Sequence, residues 1–370
     1  SRGLGDVYKR QSHRRSVAIE AKKLGYNITV ITKDTGHIFE IKDLGFDVLE
    51  LPINPIGMNL KEEFNTLRFL YSTCQHLKPD IVHNVGLKNI LWGSLAARLA
   101  HVNGIVNAVS GLGSLFNGKK LSFTAKCVIN TIRYSNKRLN VKFIFQNNDD
   151  LDVFRKHKVV RPEQIEFTKG SGVDLNEYIP VNKSPFDKIN IIFTARMVKE
   201  KGIMDLIEAA KILKPKYADK ISFILCGRLT ANKTGVTEEF MRSHCDGVYI
   251  NWLGECDNVK EMLEKSHIMA FPSYYREGVP KSLIEAAACG LPIVTCDSTG
   301  CRDVVDDGVN GFLIEPRNPE MLAEKLRILI DDRELRERMG NESRCKAERE
   351  FGIDKVIDTH LRIYKELLKN

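Results

Sequence analysis

Ile189-Asn190-Ile191-Ile192-Phe193-Thr194-Ala195-Arg196-Met197-Val198-Lys199-Glu200-Lys201-Gly202 decides the fold. Residues 189–195 form a mostly apolar run that suits a strand buried on both faces. A short cationic loop follows. Apolar residues then return at helical spacing over 202–213. A strand that feeds a helix through a short loop is one unit of a parallel sheet. Working outward, the unit recurs. Strands are predicted at 221–227, 248–253, 267–271 and 292–296, and helices at 281–289, 319–330, 335–348 and 354–368. Upstream, strands are predicted at 26–32, 47–53, 80–85, 104–110, 141–146 and 165–169, with helices such as 60–77 and 88–100 between them.

The fold class read from this rhythm is α/β, with two Rossmann-like doubly wound domains facing one cleft. The chain has 370 residues and a mass of 42.0 kDa, too long for one ordinary core. Residues 174–188 interrupt the rhythm with Pro180, Asn182, Ser184 and Pro185 and read as a linker. The expected division is 12–180, 181–353 and a last helix at 354–370 that can cross back to the first domain. Ligands of such sheets bind outside the carboxyl ends of the strands, so the cleft is the expected site. Residues 1–11 do not fit. A domain of this kind should open with a buried strand, and this segment has no apolar run. It reads as non-native sequence standing where a first strand has been lost, with the first helix starting near Ser12.

Composition narrows the function. Hydrophobic residues are 43% and charged residues 28%, an ordinary globular balance. No apolar run is long enough to span a membrane, and no secretory leader pattern stands at the start. The nine cysteines include no C-x-x-C pair, which reads as free thiols in a reducing cytoplasm rather than a disulfide frame or zinc site. Charge is uneven: residues 1–185 sum to +10 and residues 186–370 to −2. A basic first half points to an anionic partner on that side.

The strongest constellation is Glu277-Gly278-Val279-Pro280-Lys281-Ser282-Leu283-Ile284-Glu285, between a predicted strand and the helix it feeds. Pro280 suits a first helical position, Gly278 admits a ligand to the backbone, and free N–H groups at a helix start attract an anion. Glu277 can accept from sugar hydroxyls, and Glu285 from the two neighbouring hydroxyls of a ribose. The second constellation is Arg196 and Lys201. Two cations at a strand's carboxyl end fit a diphosphate, at on the order of 4 kcal/mol per charge pair before desolvation, for ~4 Å and an effective dielectric of about 20.

The spacings E-x7-E at Glu277/Glu285 and R-x4-K at Arg196/Lys201 resemble those of glycosyltransferase family 4, which has the GT-B fold. Gly290-Leu291-Pro292-Ile293-Val294 and Asn310-Gly311-Phe312-Leu313-Ile314 are also similar to that family. In the first half, Ser12-His13-Arg14, Gly111-Leu112-Gly113-Ser114-Leu115-Phe116, Phe145-Gln146-Asn147-Asn148-Asp149-Asp150 and Gly170-Ser171-Gly172-Val173-Asp174 resemble the subgroup that extends undecaprenyl-diphosphate-linked saccharides.

The resemblance implies a retaining transfer from a nucleotide-sugar with no metal or other cofactor. Arg196 and Lys201 would neutralise the donor diphosphate and, with Glu277, form the catalytic set. Glu277 would orient the donor sugar and Glu285 grip the ribose, while Gly278 and Val279 offer N–H groups and Gly227 lines the donor site. A donor phosphate oxygen would take the acceptor proton, so no protein nucleophile is required. The family's His-x-His reads here His83-Asn84-Val85, so its second histidine is replaced. His13, Arg14, His83, Lys88, Gly111 and Gly113 are expected around the acceptor or a donor phosphate.

Residues 119–139 add a membrane signal. On a helical wheel Lys119, Lys126, Arg133 and Lys137 share one face, roughly opposite Leu121, Val128, Ile132 and Leu139. Such a helix can lie on an anionic leaflet. There is no Walker loop, no zinc-protease motif and no complete dinucleotide fingerprint, since Phe116 holds the third glycine position. The expected protein is a cytoplasmic, peripheral-membrane enzyme. It would move a hexose or N-acetylhexosamine from a UDP-sugar to a lipid-diphosphate-linked saccharide in cell-surface polysaccharide synthesis, with no nucleic-acid partner. The alternatives are a nucleotide-sugar epimerase of the same fold and a nucleotide-binding chain without transferase activity.

Overall fold

The computed structural model describes residues 7–33, 38–51, 59–112, 122–182, 188–230 and 234–369. The chain forms two compact units, Ser1–Ser171 with Ile353–Asn370, and Gly172–Gly352.

Unit 1 runs α1 (Val7–Lys23), β1 (Thr29–Thr32), α2 (Ile38–Asp43), β2 (Asp47–Glu50), α3 (Leu60–Leu77), β3 (Ile81–Val85), α4 (Leu87–Leu99), β4 (Gly104–Ala108), α5 (Phe123–Ser135), β5 (Val141–Phe145), α6 (Asn148–Lys156) and β6 (Ile165–Phe167). Unit 2 runs β7 (Ile189–Thr194), α7 (Ile203–Tyr217), β8 (Ile221–Cys226), α8 (Glu238–His244), β9 (Ile250–Trp252), α9 (Val259–Glu264), β10 (Ile268–Phe271), α10 (Lys281–Ala288), β11 (Ile293–Cys296), β12 (Gly311–Ile314), α11 (Pro319–Asp331) and α12 (Arg333–Lys346). The last helix, α13 (Ile353–Lys369), belongs to unit 1, where Ile363 and Leu367 pack on Val106, Ala108 and Ile144.

Unit 2 is a doubly wound sheet in the order β12-β11-β10-β7-β8-β9, parallel throughout. Its first strand, β7, therefore stands in the centre, and the chain reverses direction across the sheet between β7 and β10. Ile191, Ile192, Phe193, Ile268, Met269 and Ala270 are wholly buried there, as strands covered on both faces must be. The carboxyl ends of β7 and β10 thus meet at the topological switch point, where open α/β sheets take ligands.

Unit 1 has the same parallel character in two pieces: β1-β2, and β3-β4-β5-β6. Among the described residues, β1 pairs only with β2, and β3 only with β4. Val7–Gln11 continue α1 backward as helix. The helix thus starts earlier than the Ser12 expected.

The units divide at Ser171/Gly172, ahead of the 180/181 boundary read from the prolines. The segment that reads as a linker is fastened to unit 2. The Val173 amide donates to the Phe351 carbonyl at 2.9 Å, and the Arg344 guanidinium donates to the carbonyls of Leu175 (3.2 Å), Tyr178 (2.6 Å) and Ala288 (2.8 Å). A half-buried arginine that closes three carbonyls makes a clamp that proline content alone does not reveal. Strand β12 is absent from the predicted strands, because Gly311 opens it. A Cβ there would come 1.9 Å from the Ile293 carbonyl oxygen, so only glycine lets this strand pair with β11.

Candidate active site

The site is built where β7 and β10 end. After β7, Ala195-Arg196-Met197-Val198 leads to a short 3-10 turn at Lys199–Lys201, and α7 starts after Gly202. Gly202 has φ +80°, and a Cβ there would stand 2.1 Å from the Pro272 carbonyl oxygen. Only glycine brings the start of α7 this close to the end of β10. The Tyr274 amide donates to the Glu200 carbonyl at 3.0 Å and ties the two loops together.

That closure joins the two constellations. The Lys201 ammonium donates to Oε1 of Glu277 as an ion pair. Lys201 is buried, with its Nζ 5.0 Å from the Phe271 ring centroid and 5.7 Å from that of Tyr275. The rings fix a cation by its attraction to their faces. Ser273 Oγ donates to the same Glu277 oxygen at 3.4 Å, and Ser298 Oγ donates to the Ser273 carbonyl at 2.8 Å. Beneath lies Cys301, its thiol pushed up to about 11 by burial and then by the charge of Glu277. Gly300 makes this stacking possible, since a Cβ there would meet the Gly278 carbonyl oxygen at 2.2 Å.

Arg196 rides on the same loop, half-buried, and makes no side-chain ion pair or hydrogen bond among the described residues. Gly278 and Val279 are buried at the mouth of α10, whose N-cap residue, Pro280, supplies no side-chain cap. Glu285 lies on α10, facing Tyr178 and Lys281. The Tyr178 hydroxyl donates to its Oε1 at 3.2 Å, and Lys281 Nζ is 3.6 Å from that oxygen. Burial, then the charge of Glu285, raises the Tyr178 phenol well above its ordinary value, so it stays a donor. Gly227 has a packing explanation of its own: a Cβ there would lie 1.6 Å from the Ala195 carbonyl oxygen.

Sequence reasoning does not single out Tyr178, Ser273, Tyr275, Cys301 or Arg344. Ser273 and Tyr275 lie on the loop before Glu277 and can be reached by following the β10 strand to its end. Tyr178 gives no such signal, because it joins the site through a hydrogen bond 107 residues along the chain.

In unit 1 the predicted residues have different surroundings. His83 Nδ1 shares a 2.7 Å hydrogen bond with the Tyr364 hydroxyl, and its ring lies 5.4 Å from that of His360. Burial, then His360 and Arg14, pushes its pKa well below the histidine range. Among the described residues, His83 Nε2 and the Nε and Nη1 of Arg14 are buried without a hydrogen-bond partner. Lys88 pairs with buried Glu63 at 2.5 Å, an acid that also accepts from Trp92 Nε1. Gly111 has φ +108°, a conformation that favours glycine. The His13 side chain, Gly113 and Lys119 lie outside the described residues.

Lys126, Arg133 and Lys137 are exposed, as the helical wheel requires. Its apolar stripe is corrected: Val128 and Ile132 are buried in the core of unit 1, packed on the sheet. Leu139 is exposed past the end of α5, and Leu121 lies outside the described residues. Among the described residues no helix is long and apolar enough to cross a membrane, and no three acidic, cysteine or histidine side chains group to hold a metal ion.

Comparison with known proteins agrees with this architecture. Residues 175–346 match the family described as glycosyl transferases group 1, and residues 8–148 match glycosyl transferase 4-like. The chain is 26% identical, over 93% of its length and 92% of the relative's, to an N,N'-diacetylbacillosaminyl-diphospho-undecaprenol alpha-1,3-N-acetylgalactosaminyltransferase of Campylobacter jejuni. It is also 26% identical, over 93% of its length and 90% of the relative's, to a UDP-Gal:alpha-D-GlcNAc-diphosphoundecaprenol alpha-1,3-galactosyltransferase of Escherichia coli. Among solved structures, a glycosyltransferase from Rickettsia africae superposes with a TM-score of 0.77 at 20% identity, covering 98% of this chain and 96% of that one. An Anabaena protein crystallised with UDP and glucose superposes with a TM-score of 0.76 at 18% identity, covering 96% and 95%.

Proposed function

We propose, for a chain that belongs to the family 4 glycosyltransferases of GT-B fold and acts on undecaprenyl-diphosphate-linked saccharides, a retaining transfer of a hexose or N-acetylhexosamine from a UDP-sugar. The acceptor is a lipid-diphosphate-linked saccharide in cell-surface polysaccharide assembly, handled by unit 1 from the inner face of the membrane. The observation that carries the reading is the meeting of Lys201 with Glu277 at the switch point of unit 2.

The chemistry follows from what each group can do. As the glycosidic bond to the diphosphate breaks, negative charge gathers on the departing nucleotide. Arg196, with no partner among the described residues, and Lys201, held over Phe271, take up that charge in this reading. Cations fixed before the reaction need no reorganisation when the charge develops. The N–H groups at the mouth of α10 add to the same field. Glu277, oriented by Lys201 and Ser273, accepts from sugar hydroxyls, and Glu285, oriented by Tyr178, accepts from the ribose diol. This reading needs no metal and no protein nucleophile.

The test is turnover of a panel of nucleotide-sugars with a synthetic undecaprenyl-diphosphate disaccharide, with the product read by mass spectrometry and its anomeric configuration by NMR. Extension of the acceptor by one sugar with the donor's configuration kept is the expected result. An inverted linkage, or free epimerised sugar nucleotide without extension, would overturn it.

A further inference from the structure

We infer that Arg344 is a positioning residue for the nucleotide end of the donor site: through two backbone carbonyls, its guanidinium sets where the Tyr178 hydroxyl meets the Glu285 carboxylate. The inference rests on the reading above of Glu285 as acceptor of the ribose diol. Glu285 is carried by α10, whereas Tyr178 lies in no helix or strand. A single turn holds it instead. The Asp174 carboxylate accepts from the amides of Asn176 (2.9 Å) and Glu177 (3.3 Å), and the Tyr178 amide donates to the Asp174 carbonyl at 2.9 Å. An aspartate that bonds the amides after it fixes the shape of such a turn, but not its place against α10.

Arg344 of α12 supplies that place. Its Nη1 donates both to the Tyr178 carbonyl at 2.6 Å and to the Ala288 carbonyl at 2.8 Å. Ala288 ends α10, three residues beyond Glu285, and its carbonyl is among the last four that a helix leaves open. One nitrogen therefore joins the residue that carries the phenol to the helix that carries the acid. Nη2 holds the start of the turn at the Leu175 carbonyl, and Nε donates to Glu348 at 2.6 Å. The guanidinium is planar, so these donors are fixed relative to one another. Two glycines let the pieces come this close. A Cβ at Gly290 would lie 3.3 Å from Cβ and Cγ of Pro180, and one at Gly340 of α12 would lie 2.4 Å from the Gly290 carbonyl oxygen. The Tyr178 bond to Glu285 is 3.2 Å long. A shift of the turn by about half an ångström would break it.

The quantity that tests this is the preference of the full chain for UDP over 2′-deoxy-UDP, measured by calorimetry. R344M keeps the stem and removes the donors, and should cut that preference roughly fivefold, the scale of one net hydrogen bond. The KM for the donor should rise by a similar factor while kcat stays within about twofold, because ground state and transition state lose the same grip. R344K should recover part of the preference. D174A, at an exposed carboxylate, loosens the same turn from its start and should move the preference the same way, which decides the matter if R344M folds poorly. In a Y178F background R344M should remove no further preference. An equal loss of affinity for both nucleotides, an unchanged preference, or a loss in R344M that adds in full to that of Y178F would make Arg344 a packing clamp alone and overturn the inference. E285Q tells that failure from a failure of the reading beneath it. If E285Q loses the preference and the Arg344 and Asp174 variants keep it, the role of Arg344 falls and the ribose grip stands. If E285Q keeps the preference, the grip itself falls and the inference with it.

Discussion

The Tyr178 hydroxyl donates to Oε1 of Glu285 from a segment whose prolines read as a linker. The phenol's pKa is raised by burial and then by the charge of Glu285, so it remains a donor at neutral pH. It fixes one carboxylate oxygen of the residue proposed to accept from the ribose diol. Y178F should weaken UDP binding roughly tenfold, within the range for a hydrogen bond to a charged group. Calorimetry with 2′-deoxy- and 3′-deoxy-UDP separates positioning from general damage. If Tyr178 acts through Glu285, the variant should lose little more against the deoxy nucleotides. An equal loss on all three would make the tyrosine merely structural.

Lys201 is the residue on which turnover should depend most. Removing a cation that meets charge developing in the transition state costs ~10²–10³ in kcat. Lys201→Ala should show that loss in a donor-turnover assay. K201R should restore part of it, because it keeps the charge and changes the shape. Unchanged turnover in Lys201→Ala would remove Lys201 from the donor site.

The alternation of strands and helices was legible because β7, β8, β10 and β11 are short, mostly apolar runs ended by polar loops, the pattern a doubly covered strand must have. Lys201 and Glu277 were legible for a related reason. Both stand in the loops that follow such strands, so finding the strands brought the residues to one edge of the sheet. Contacts set by tertiary packing were not legible. Tyr178 reaches Glu285, and Arg344 reaches Leu175, across spans that carry no periodicity. Lys88 looks available in sequence because nothing near it in the chain is acidic, yet Glu63 on the preceding helix pairs with it. On α5 the helical wheel finds two faces and cannot tell core from surface, because both carry apolar residues.

Acidification should destabilise unit 1. Burial lowers the pKa of His83 well below the ordinary value and that of His360 to about 3, with Arg14 adding to both. The His360 ring is then neutral in the fold at pH 5, while the unfolded chain takes up protons below about pH 6.5. The unfolded state binds more protons there, so stability is full above that pH and falls as pH drops towards the folded values. His360 should contribute about 2 kcal/mol of loss between pH 7 and pH 5, and His83 adds to it in the same direction. Thermal melts at the two pH values check this. His360→Gln should reduce the pH-dependent loss by that amount, and an unchanged pH slope in that variant would exclude His360 as its source.

The divided sheet of unit 1 predicts where the protein opens first. All four residues of β1 are only partly buried, and β1 pairs on one side alone among the described residues. In unit 2, β7 is held between β8 and β10, and its Ile191, Ile192 and Phe193 are wholly buried. Local opening follows buried apolar contact and paired backbone, and both are scarcer in β1. In native-state hydrogen exchange, the amides of β1 and β2 should therefore exchange at least ~100-fold faster than those of β7 and β8, the ratio for about 2.7 kcal/mol of difference in opening free energy. Mass spectrometry of peptides spanning 29–50 and 189–194 gives the comparison directly. Equal protection would mean that β1 is supported along its second side as fully as β7, and the division of the sheet would carry no energetic consequence.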